Sequence, residues 1–464
     1  MRYFYIASIF FMQLILNTQT YAEQDVSTFR NQLKAQYKTI KQPGLDKMNI
    51  KPDDIYPLIE LIKSNSSFEV KQVGSSFLER PIYKIKIGNG PRKIFIWSQM
   101  HGNEPTATAS LFDFINYIDA DENKAWVDGW KDQVTLHMVP MVNPDGADMN
   151  QRYNAQSIDI NRDAKRLQTS EGRMLAGLAD EIQPEFGFNL HDQGRFYTTG
   201  SSANTATISI LAPAFNDAKD IGESRHKAMQ LIGLLNDSIQ QEIPNHVGRY
   251  DDTYAFRAFG DLFSSKGIAT TLIESGHYPD DRTRQMPRWL TFMSLVQSVD
   301  VITSKSYEQE TLEKYHSIPM NKSNGIVDVL LKNVHIEDSY TVDISVNYSR
   351  YFKRANIKEI GDLSANHGLL VKDFSQYKLK AVKGYKVEQA VTLTTEVYLK
   401  LLSQGFGYFE GDKKLIDNQS NFPIMVNPKN IATKVPQRHQ QASFLFTRND
   451  KVELAMINGT IIEL

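Results

Sequence analysis

The sequence contains no cysteine among its 464 residues. This absence excludes disulfide bonds, metal sites that use thiolates, and a lipoprotein anchor, which needs a cysteine at the cleavage point. The fold must therefore be stabilised by its hydrophobic core. With 41% hydrophobic residues, a chain of this length can bury such a core and is long enough for two domains.

The sequence also lacks an excess of charge of either sign. It has 52 Lys and Arg residues against 54 Asp and Glu residues, which gives a formal net charge of −2. Surfaces that bind nucleic-acid phosphates need a local excess of Lys and Arg. The charge balance therefore gives no reason to expect a nucleic-acid partner.

Long apolar runs are absent except near the N-terminus. There, an apolar run over residues 3–16 follows a positively charged start, and small residues at Thr20 and Ala22 provide a cleavage position. This pattern predicts a signal peptide over residues 1–22, and hence an exported protein, periplasmic or secreted, with no stable membrane span after cleavage. An uncleaved anchor is the alternative, but the run is shorter than the about 20 residues that a span requires.

Shorter apolar runs further along the chain predict buried strands, separated by helical patterns. The strand candidates are residues 93–97, 134–142, 186–190 and 268–273. Strands that alternate with helices predict an α/β domain over residues 23–305. From residue 325 onward, short alternating stretches between Gly-, Asn- and Asp-rich turns predict a small all-β domain, a β-sandwich over residues 325–464. Residues 306–324 are predicted to be a linker.

Two polar stretches combine side chains that suit a metal site and a carboxylate site. Residues 101–104, His-Gly-Asn-Glu, follow a predicted strand and begin a helix. Imidazole and carboxylate are zinc ligands, although the helix dipole alone also favours a Glu in the first turn. In residues 159–163, Asn161 and Arg162 are neighbouring donors for a carboxylate, and Asp159 can accept the N–H of a metal-bound imidazole. A solvated loop with local ion pairs is the alternative for this second stretch.

Two further candidate residues lie at the ends of predicted strands. His191 follows the strand predicted over residues 186–190, and Glu274 follows the one predicted over residues 268–273. Open α/β sheets place their sites at the ends of strands. Either residue taken alone is more often a polar cap than a catalytic group.

Taken in this order, the four stretches resemble the zinc carboxypeptidase family, which includes the pancreatic carboxypeptidases. The resemblance covers about residues 50–300. It implies a mixed, mostly parallel central sheet with helices on both faces. It also implies that His101, Glu104 and His191 bind one Zn²⁺ ion per chain and that Glu274 is the general base.

The same resemblance implies roles for four residues between the two zinc-binding histidines. Asn161 and Arg162 would hold the terminal carboxylate of a substrate. Asp159 would orient the first zinc-binding histidine. Arg152 would polarise the scissile carbonyl, although the interval from Arg152 to Asn161 is shorter than in the pancreatic enzymes.

The family also has a mobile tyrosine that caps the substrate, roughly twenty residues before the general base. Tyr254 is the predicted counterpart and Tyr250 is the second choice. A plain packing role for Tyr254 is an equal alternative.

These expectations together predict a zinc metallocarboxypeptidase, with zinc-bound water activated by Glu274. Its substrates would be extracytoplasmic peptides with a free C-terminal carboxylate, from which it removes C-terminal residues. An amidase that acts on cell-wall peptides or N-acyl amino acids is the first alternative. The second is an inactive peptidase-like binding protein, but such proteins usually lack a zinc ligand or the base, and here every candidate is present.

Overall fold

The computed structural model describes residues 29–337, 339–349 and 353–464. The predicted signal peptide, residues 1–22, lies outside the described residues. The chain divides into two compact units. The first comprises the described residues up to Gly200 together with Asn204–Lys322, and the second comprises Ser201–Ala203 together with Ser323–Leu464.

Helices and strands alternate along most of the first unit. Its helices are α1 (residues 29–40 in the described part), α2 (Pro52–Lys63), α3 (Thr106–Asp119), α4 (Lys124–Trp130), α5 (Pro144–Asp148), α6 (Ser170–Ile182), α7 (Glu223–Glu242), α8 (Phe259–Ser265), α9 (Gln285–Ser304) and α10 (Leu312–Ser317). Its strands are β1 (Glu69–Ser75), β2 (Pro81–Ile87), β3 (Arg92–Ser98), β4 (Val134–Val139), β5 (Phe186–Asp192), β6 (Thr198–Thr199), β7 (Ile208–Leu211), β8 (Val247–Arg249), β9 (Ala269–Ser275) and β10 (Asn321–Lys322). Within the described residues, no helix combines the length and the apolar character needed to cross a bilayer.

Eight strands of the first unit form one mixed sheet, in the order β1-β2-β4-β3-β5-β9-β7-β8. The central strands β4, β3, β5 and β9 run parallel to one another, and β7 pairs with β8 in parallel. The pairings β1–β2, β2–β4 and β9–β7 are antiparallel. The predicted α/β class, with a mixed and mostly parallel sheet, is confirmed.

The central strand β3 packs against helices on both faces of this sheet. Its apolar side chains alternate in direction, so that Ile94 and Ile96 join one core cluster while Phe95 and Trp97 join another. The first cluster also contains residues of α3, α7 and α9, and the second contains residues of α6 and α8. A strand that is buried on both faces has a nearly continuous apolar sequence, as residues 94–97 of β3 do.

Residues 306–322, most of the predicted linker, are folded as part of the first unit. They form a 3₁₀ helix (Ser306–Gln309), then α10 and β10. Tyr307, Tyr315 and Ile318 are buried in the same core cluster as α7. The linker prediction failed here because isolated apolar residues among charged ones give no helical repeat in the sequence.

The second unit is built mainly from strands. These are β11 (Ile326–Ile336), β12 (Tyr340–Tyr348), β13 (Ala355–Gly361), β14 (His367–Asp373), β15 (Lys378–Ala381), β16 (Lys383–Val387), β17 (Val391–Leu393), β18 (Phe406–Gly411), β19 (Ile416–Asn418), β20 (Phe444–Arg448), β21 (Lys451–Ile457) and β22 (Thr460–Glu463). One helix, α11 (Thr395–Ser403), lies between β17 and β18. Eight strands form one sheet in the order β13-β12-β11-β15-β20-β21-β22, with β14 also paired to β11, while β16–β18 and β17–β19 form two small sheets.

The predicted β-rich C-terminal region is confirmed, but it is not built from two large facing sheets as the predicted β-sandwich would be. Alternate residues of β20 are buried on opposite sides: Phe444 and Phe446 join one core cluster and Leu445 joins another. The second cluster contains Tyr398 of α11 and Phe409 of β18. The helix and the small sheets therefore cover the face that a second large sheet would cover in a sandwich.

Candidate metal centre

Three neighbouring parallel strands bring the candidate residues to one edge of the central sheet. His101 follows β3, His191 lies near the end of β5, and Glu274 lies near the end of β9. His191 and Glu274 are direct neighbours in the register of β5 and β9. Because parallel strands end at the same edge, three stretches distant in sequence meet at one place.

The turn over residues 101–104 places two of the candidate ligands side by side. The backbone N–H of Glu104 donates to the carbonyl of His101 at 3.0 Å, which closes the turn. Gly102 lies against the backbone of Gly146, where an added Cβ would come within 1.9 Å of the carbonyl carbon. Only glycine fits this close approach, so the packing against Gly146 requires a glycine at position 102.

The side chains of His101, Glu104 and His191 form a buried cluster. Nδ1 of His101 lies 3.1 Å from Nδ1 of His191. The two carboxylate oxygens of Glu104 lie 2.9 Å and 2.8 Å from these same nitrogens. One possible ligand atom from each residue therefore lies within 4.8 Å of the others. Two imidazole nitrogens and one carboxylate are a common catalytic zinc donor set that leaves a position for water, so these residues fit a zinc ion.

Asp159 fixes the orientation of the His101 ring. Its Oδ1 lies 3.1 Å from Nε2 of His101, the ring nitrogen on the side away from the cluster. Burial alone would lower the pKa of His101, but the carboxylates of Glu104 and Asp159 raise it to about 9. The surroundings of this ring therefore stabilise positive charge at the position where a metal ion would bind.

Arg152 bridges Asp159 and the edge of the ligand cluster. Its Nε donates to Oδ2 of Asp159 at 2.9 Å. One of its terminal nitrogens lies 3.2 Å from Nδ1 of His101 and 3.4 Å from Oε1 of Glu104. The side chain is 36% exposed and lines the cavity described below. Its positive charge therefore lies at the cavity wall, beside the ligand cluster.

Asn161 and Arg162 lie on the wall of the same cavity, in the 3₁₀ turn Ile160–Arg162. Oδ1 of Asn161 accepts a hydrogen bond from the backbone of Phe259 at 2.9 Å, and its amide nitrogen lies 3.4 Å from Nε2 of His191. The guanidinium of Arg162 donates to the carbonyl of Asn161 at 2.7 Å and is exposed. Arg162 thus retains donors for a ligand, whereas the amide of Asn161 is partly engaged within the protein.

Glu274 lies on the cavity wall together with the ligand cluster. Burial and the negative charge of Glu104 raise the pKa of Glu274 well above its ordinary value. A carboxylate with a raised pKa accepts protons more readily near neutral pH. The position and the environment of Glu274 therefore suit a proton acceptor.

Of the two candidate capping tyrosines, Tyr250 lines the cavity and Tyr254, the predicted one, does not. The hydroxyl of Tyr250 lies 3.5 Å from that of Tyr197, which lines the cavity as well. Burial raises the pKa of Tyr250. The sequence interpretation missed Tyr197, since nothing marked it except an aromatic ring six residues after His191.

The ligand cluster opens into a cavity of about 420 Å³. A cavity of this size lies within the range of small-ligand sites. Asp261, in α8, is a lining residue that the sequence interpretation did not assign to the site. Its Oδ1 accepts a hydrogen bond from the backbone of Ala255 at 2.8 Å, and burial raises its pKa to about 6. The cavity therefore combines exposed guanidinium groups with a buried carboxyl group.

Comparisons with known proteins bear on the part of the chain that carries the ligands. Residues 55–194 match the zinc carboxypeptidase family. These residues belong to a zinc carboxypeptidase domain. The matched range includes His101, Glu104 and His191, whereas Glu274 and Tyr250 lie beyond it. The match supports a hydrolase as the enzyme class, and it implies a zinc cofactor, for which His101, Glu104 and His191 form a suitable group of ligands.

Two curated relatives are similar over short segments. The gamma-D-glutamyl-L-diamino acid endopeptidase 1 of Lysinibacillus sphaericus is 39% identical over 83 residues, 17% of this chain and 21% of that protein. Carboxypeptidase 2 of Trichophyton rubrum is 30% identical over 103 residues, 22% of this chain and 19% of that protein. The chain thus spans about one fifth of the length of these relatives. Among solved structures, a metallo-carboxypeptidase from Burkholderia cenocepacia superposes with a TM-score of 0.43 at 16% identity, over 55% of this chain and 71% of that one.

Proposed function

We propose that this protein is a zinc-dependent peptidase that removes C-terminal residues from peptides outside the cytoplasm. The observation that carries the proposal is the buried cluster of His101, Glu104 and His191, with Glu274 on the wall of the same cavity. The family match over residues 55–194 supports the metal and the hydrolytic chemistry. The extracytoplasmic location rests on the signal-peptide pattern of residues 1–22.

His101, Glu104 and His191 would hold the zinc ion, and Asp159 would keep the His101 ring turned toward it. When bound, zinc lowers the pKa of water and polarises a carbonyl group. Glu274 would accept the proton of the attacking water and deliver it to the leaving amine. Its raised pKa matches both tasks, because the same carboxyl group must first take up the proton and then release it.

Two arginines would bind the substrate at opposite ends of the scissile residue. Arg162 has an exposed guanidinium for the terminal carboxylate, a geometry in which arginine can donate two parallel hydrogen bonds. Arg152 lies beside the ligand cluster, where negative charge develops on the carbonyl oxygen. Removal of such a donor typically lowers the rate by roughly a hundredfold or more, so Arg152→Ala should be severely impaired.

An amidase that acts on cell-wall peptides is a second candidate. The relative from Lysinibacillus sphaericus is named as a gamma-D-glutamyl-L-diamino acid endopeptidase, and it is 39% identical over the segment it shares. Asp261 adds a feature of this chain, because this acidic residue lines the cavity and could attract an amine. A diamino acid carries such an amine on its side chain.

The test is a substrate panel for the full zinc-loaded chain, read by mass spectrometry. It contains ordinary peptides with a free C-terminus, the same peptides with a C-terminal amide, and muropeptides with a γ-D-glutamyl-diamino acid bond. We expect loss of C-terminal residues from the free peptides and none from the amides. Cleavage of the muropeptides alone would favour the second candidate and contradict the first.

The variant Glu274→Gln separates an enzyme from an inactive binding protein. It should retain zinc and lose at least a hundredfold in rate, because it removes the proton acceptor without removing a ligand. Glu122→Gln, at an exposed position, is the matched control and should leave the rate unchanged. A wild-type chain that binds zinc but cleaves nothing in the panel would leave the inactive binding protein as the better account.

A further inference from the structure

The second unit contains a concave site of about 530 Å³ that plays no part in the function proposed above. Five separate segments form it: residues 353–356, Lys413, residues 424–430, residues 439–441 and the β21–β22 turn at Asn458. All of these belong to the second unit. Concave sites of this size, built from several segments, are where proteins commonly bind small ligands.

Positive charge surrounds this site. Lys353, Arg354, Lys413 and Lys429 line it together with His439, and among the described residues no Asp or Glu lines it. In the described part of the second unit, the ion pairs between side chains use other lysine and arginine residues. Four cationic side chains that line one concavity, with no carboxylate partner among the described residues, create a positive potential within it. An anionic ligand would complement this potential.

Side-chain amides hold the segments that carry these cations. Oδ1 of Asn458 accepts from the backbone of Ala355 at 2.9 Å, and its amide nitrogen donates to the carbonyl of Lys353 at 3.2 Å. Asn427 forms a matching pair of bonds with the N–H and the carbonyl of Gly411, at 3.1 Å and 2.9 Å. The backbone around the site is therefore positioned before any ligand binds, which reduces the entropic cost of binding.

The site also offers groups that an inorganic anion would not use. Oε1 of Gln441, a lining residue, is buried without a hydrogen-bond partner among the described residues. A buried acceptor without a donor is unfavourable, and a ligand hydroxyl would supply that donor. Ile424, Val426 and Pro428 add partly buried apolar surface to the same site. Its ligand should therefore carry negative charge, hydroxyl groups and C–H surfaces.

We propose that this site binds an anionic saccharide, a sugar chain that carries carboxylate or phosphate groups. Such a ligand provides anions for the Lys and Arg side chains, a hydroxyl for Gln441, and the faces of sugar rings for the apolar residues. Both kinds of ligand are negatively charged sugars. The titration described below distinguishes carboxylate from phosphate as the source of the charge. The second unit would then hold the protein to an acidic polysaccharide.

Isothermal titration of the full chain tests this assignment with four probes: hexagalacturonate, mannopentaose phosphate, neutral maltohexaose and tripolyphosphate. We expect at least one of the two charged saccharides to bind at least tenfold more tightly than both maltohexaose and tripolyphosphate. The better of the two identifies carboxylate or phosphate as the recognised group. If neither charged saccharide binds, or if tripolyphosphate binds as tightly, the assignment is wrong.

Two sets of substitutions locate the binding. The triple variant Lys353→Gln, Arg354→Gln, Lys429→Gln should weaken saccharide binding at least tenfold. The matched control Lys380→Gln, Lys386→Gln, Lys451→Gln removes the same charge at exposed positions outside the site and should change it less than threefold. Equal losses in both triples would mean that the binding is unspecific and would overturn the proposal.

Gln441→Met separates saccharide recognition from charge alone. The variant removes the buried acceptor, so we expect several-fold weaker saccharide binding with no loss of thermal stability. Tripolyphosphate binding should be unaffected. Unchanged saccharide affinity in a folded Gln441→Met variant would contradict the assigned hydroxyl contact.

Discussion

Oδ1 of Asp159 lies 3.1 Å from Nε2 of His101, so that Nδ1 of the same ring points toward Glu104 and His191. The neighbouring carboxylate therefore determines which ring nitrogen is free for a metal ion. Partners of this kind fix the tautomer of a ligand and increase its basicity.

The first prediction concerns this contact. Asp159→Asn keeps the shape of the side chain but removes its charge, so zinc affinity should fall by about 10- to 100-fold. A competition titration against a chromogenic chelator measures the affinity. Asp251→Asn is the control, since Asp251 lines the cavity but makes its hydrogen bonds to Thr253 and not to a metal-binding residue. Equal zinc affinities in the two variants would show that Asp159 does not support the site.

The second prediction distinguishes the two tyrosines. Tyr250 lines the cavity and Tyr254 does not, so Tyr250→Phe should lower kcat/KM by about tenfold, the equivalent of one hydrogen bond of about 1.4 kcal/mol. Tyr254→Phe should stay within twofold of the wild type. Steady-state kinetics on whichever substrate the panel identifies measures both. The reverse order would restore Tyr254 as the capping residue.

The third prediction concerns pH and the buried His137 of β4, whose Nδ1 has no hydrogen-bond partner among the described residues. Burial, reinforced by Lys84 and Lys86, lowers its pKa to about 4. In the unfolded chain the pKa of a histidine is about 6.5, so as pH falls the unfolded state binds the proton before the folded state does. The free energy of unfolding therefore decreases between about pH 6.5 and pH 4.

His137→Asn removes this titration. Between pH 7 and pH 5, the variant should lose about 1 to 2 kcal/mol less stability than the wild type. Urea unfolding with a chelator present, at both pH values, measures the difference and removes any effect of metal release. His226→Asn, at an exposed position, is the control. Parallel losses in the wild type and His137→Asn would contradict the assignment.

The fourth prediction concerns the buried pair of Arg288 and Asp113. Nε and Nη2 of Arg288 each donate a hydrogen bond of 2.7 Å to one carboxylate oxygen of Asp113. Both side chains are almost fully buried. Arg288→Met leaves Asp113 buried and uncompensated, which should lower the free energy of unfolding by about 3 to 5 kcal/mol. Adding Asp113→Asn should recover part of the loss in a urea titration. A double variant less stable than the single one would exclude this explanation.

The positions of the central strands could be predicted from the sequence because each strand produces a local signal. Residues 93–97 and 186–190 are short, mostly apolar stretches, and β3 and β5 contain them. His101 and His191 lie just beyond these runs. Parallel strands then bring their ends together, which places the two histidines near each other without any further information.

Features that depend on contacts between distant segments could not be predicted in this way. Asp113 and Arg288 are separated by 175 positions, and neither is part of a motif. The choice between Tyr250 and Tyr254 depends on the path of an irregular loop, which no periodicity describes. The burial of Tyr307 likewise depends on a partner helix, α7, that lies far away in the sequence.

The central claim is that His101, Glu104 and His191 together hold one zinc ion, and the metal content of the purified chain tests it most directly. Elemental analysis after zinc loading and exhaustive dialysis should give about one zinc per wild-type chain and almost none in Glu104→Gln, which replaces a charged ligand by a neutral amide. A wild-type chain without zinc, or a Glu104→Gln variant that retains as much as the wild type, would contradict the account.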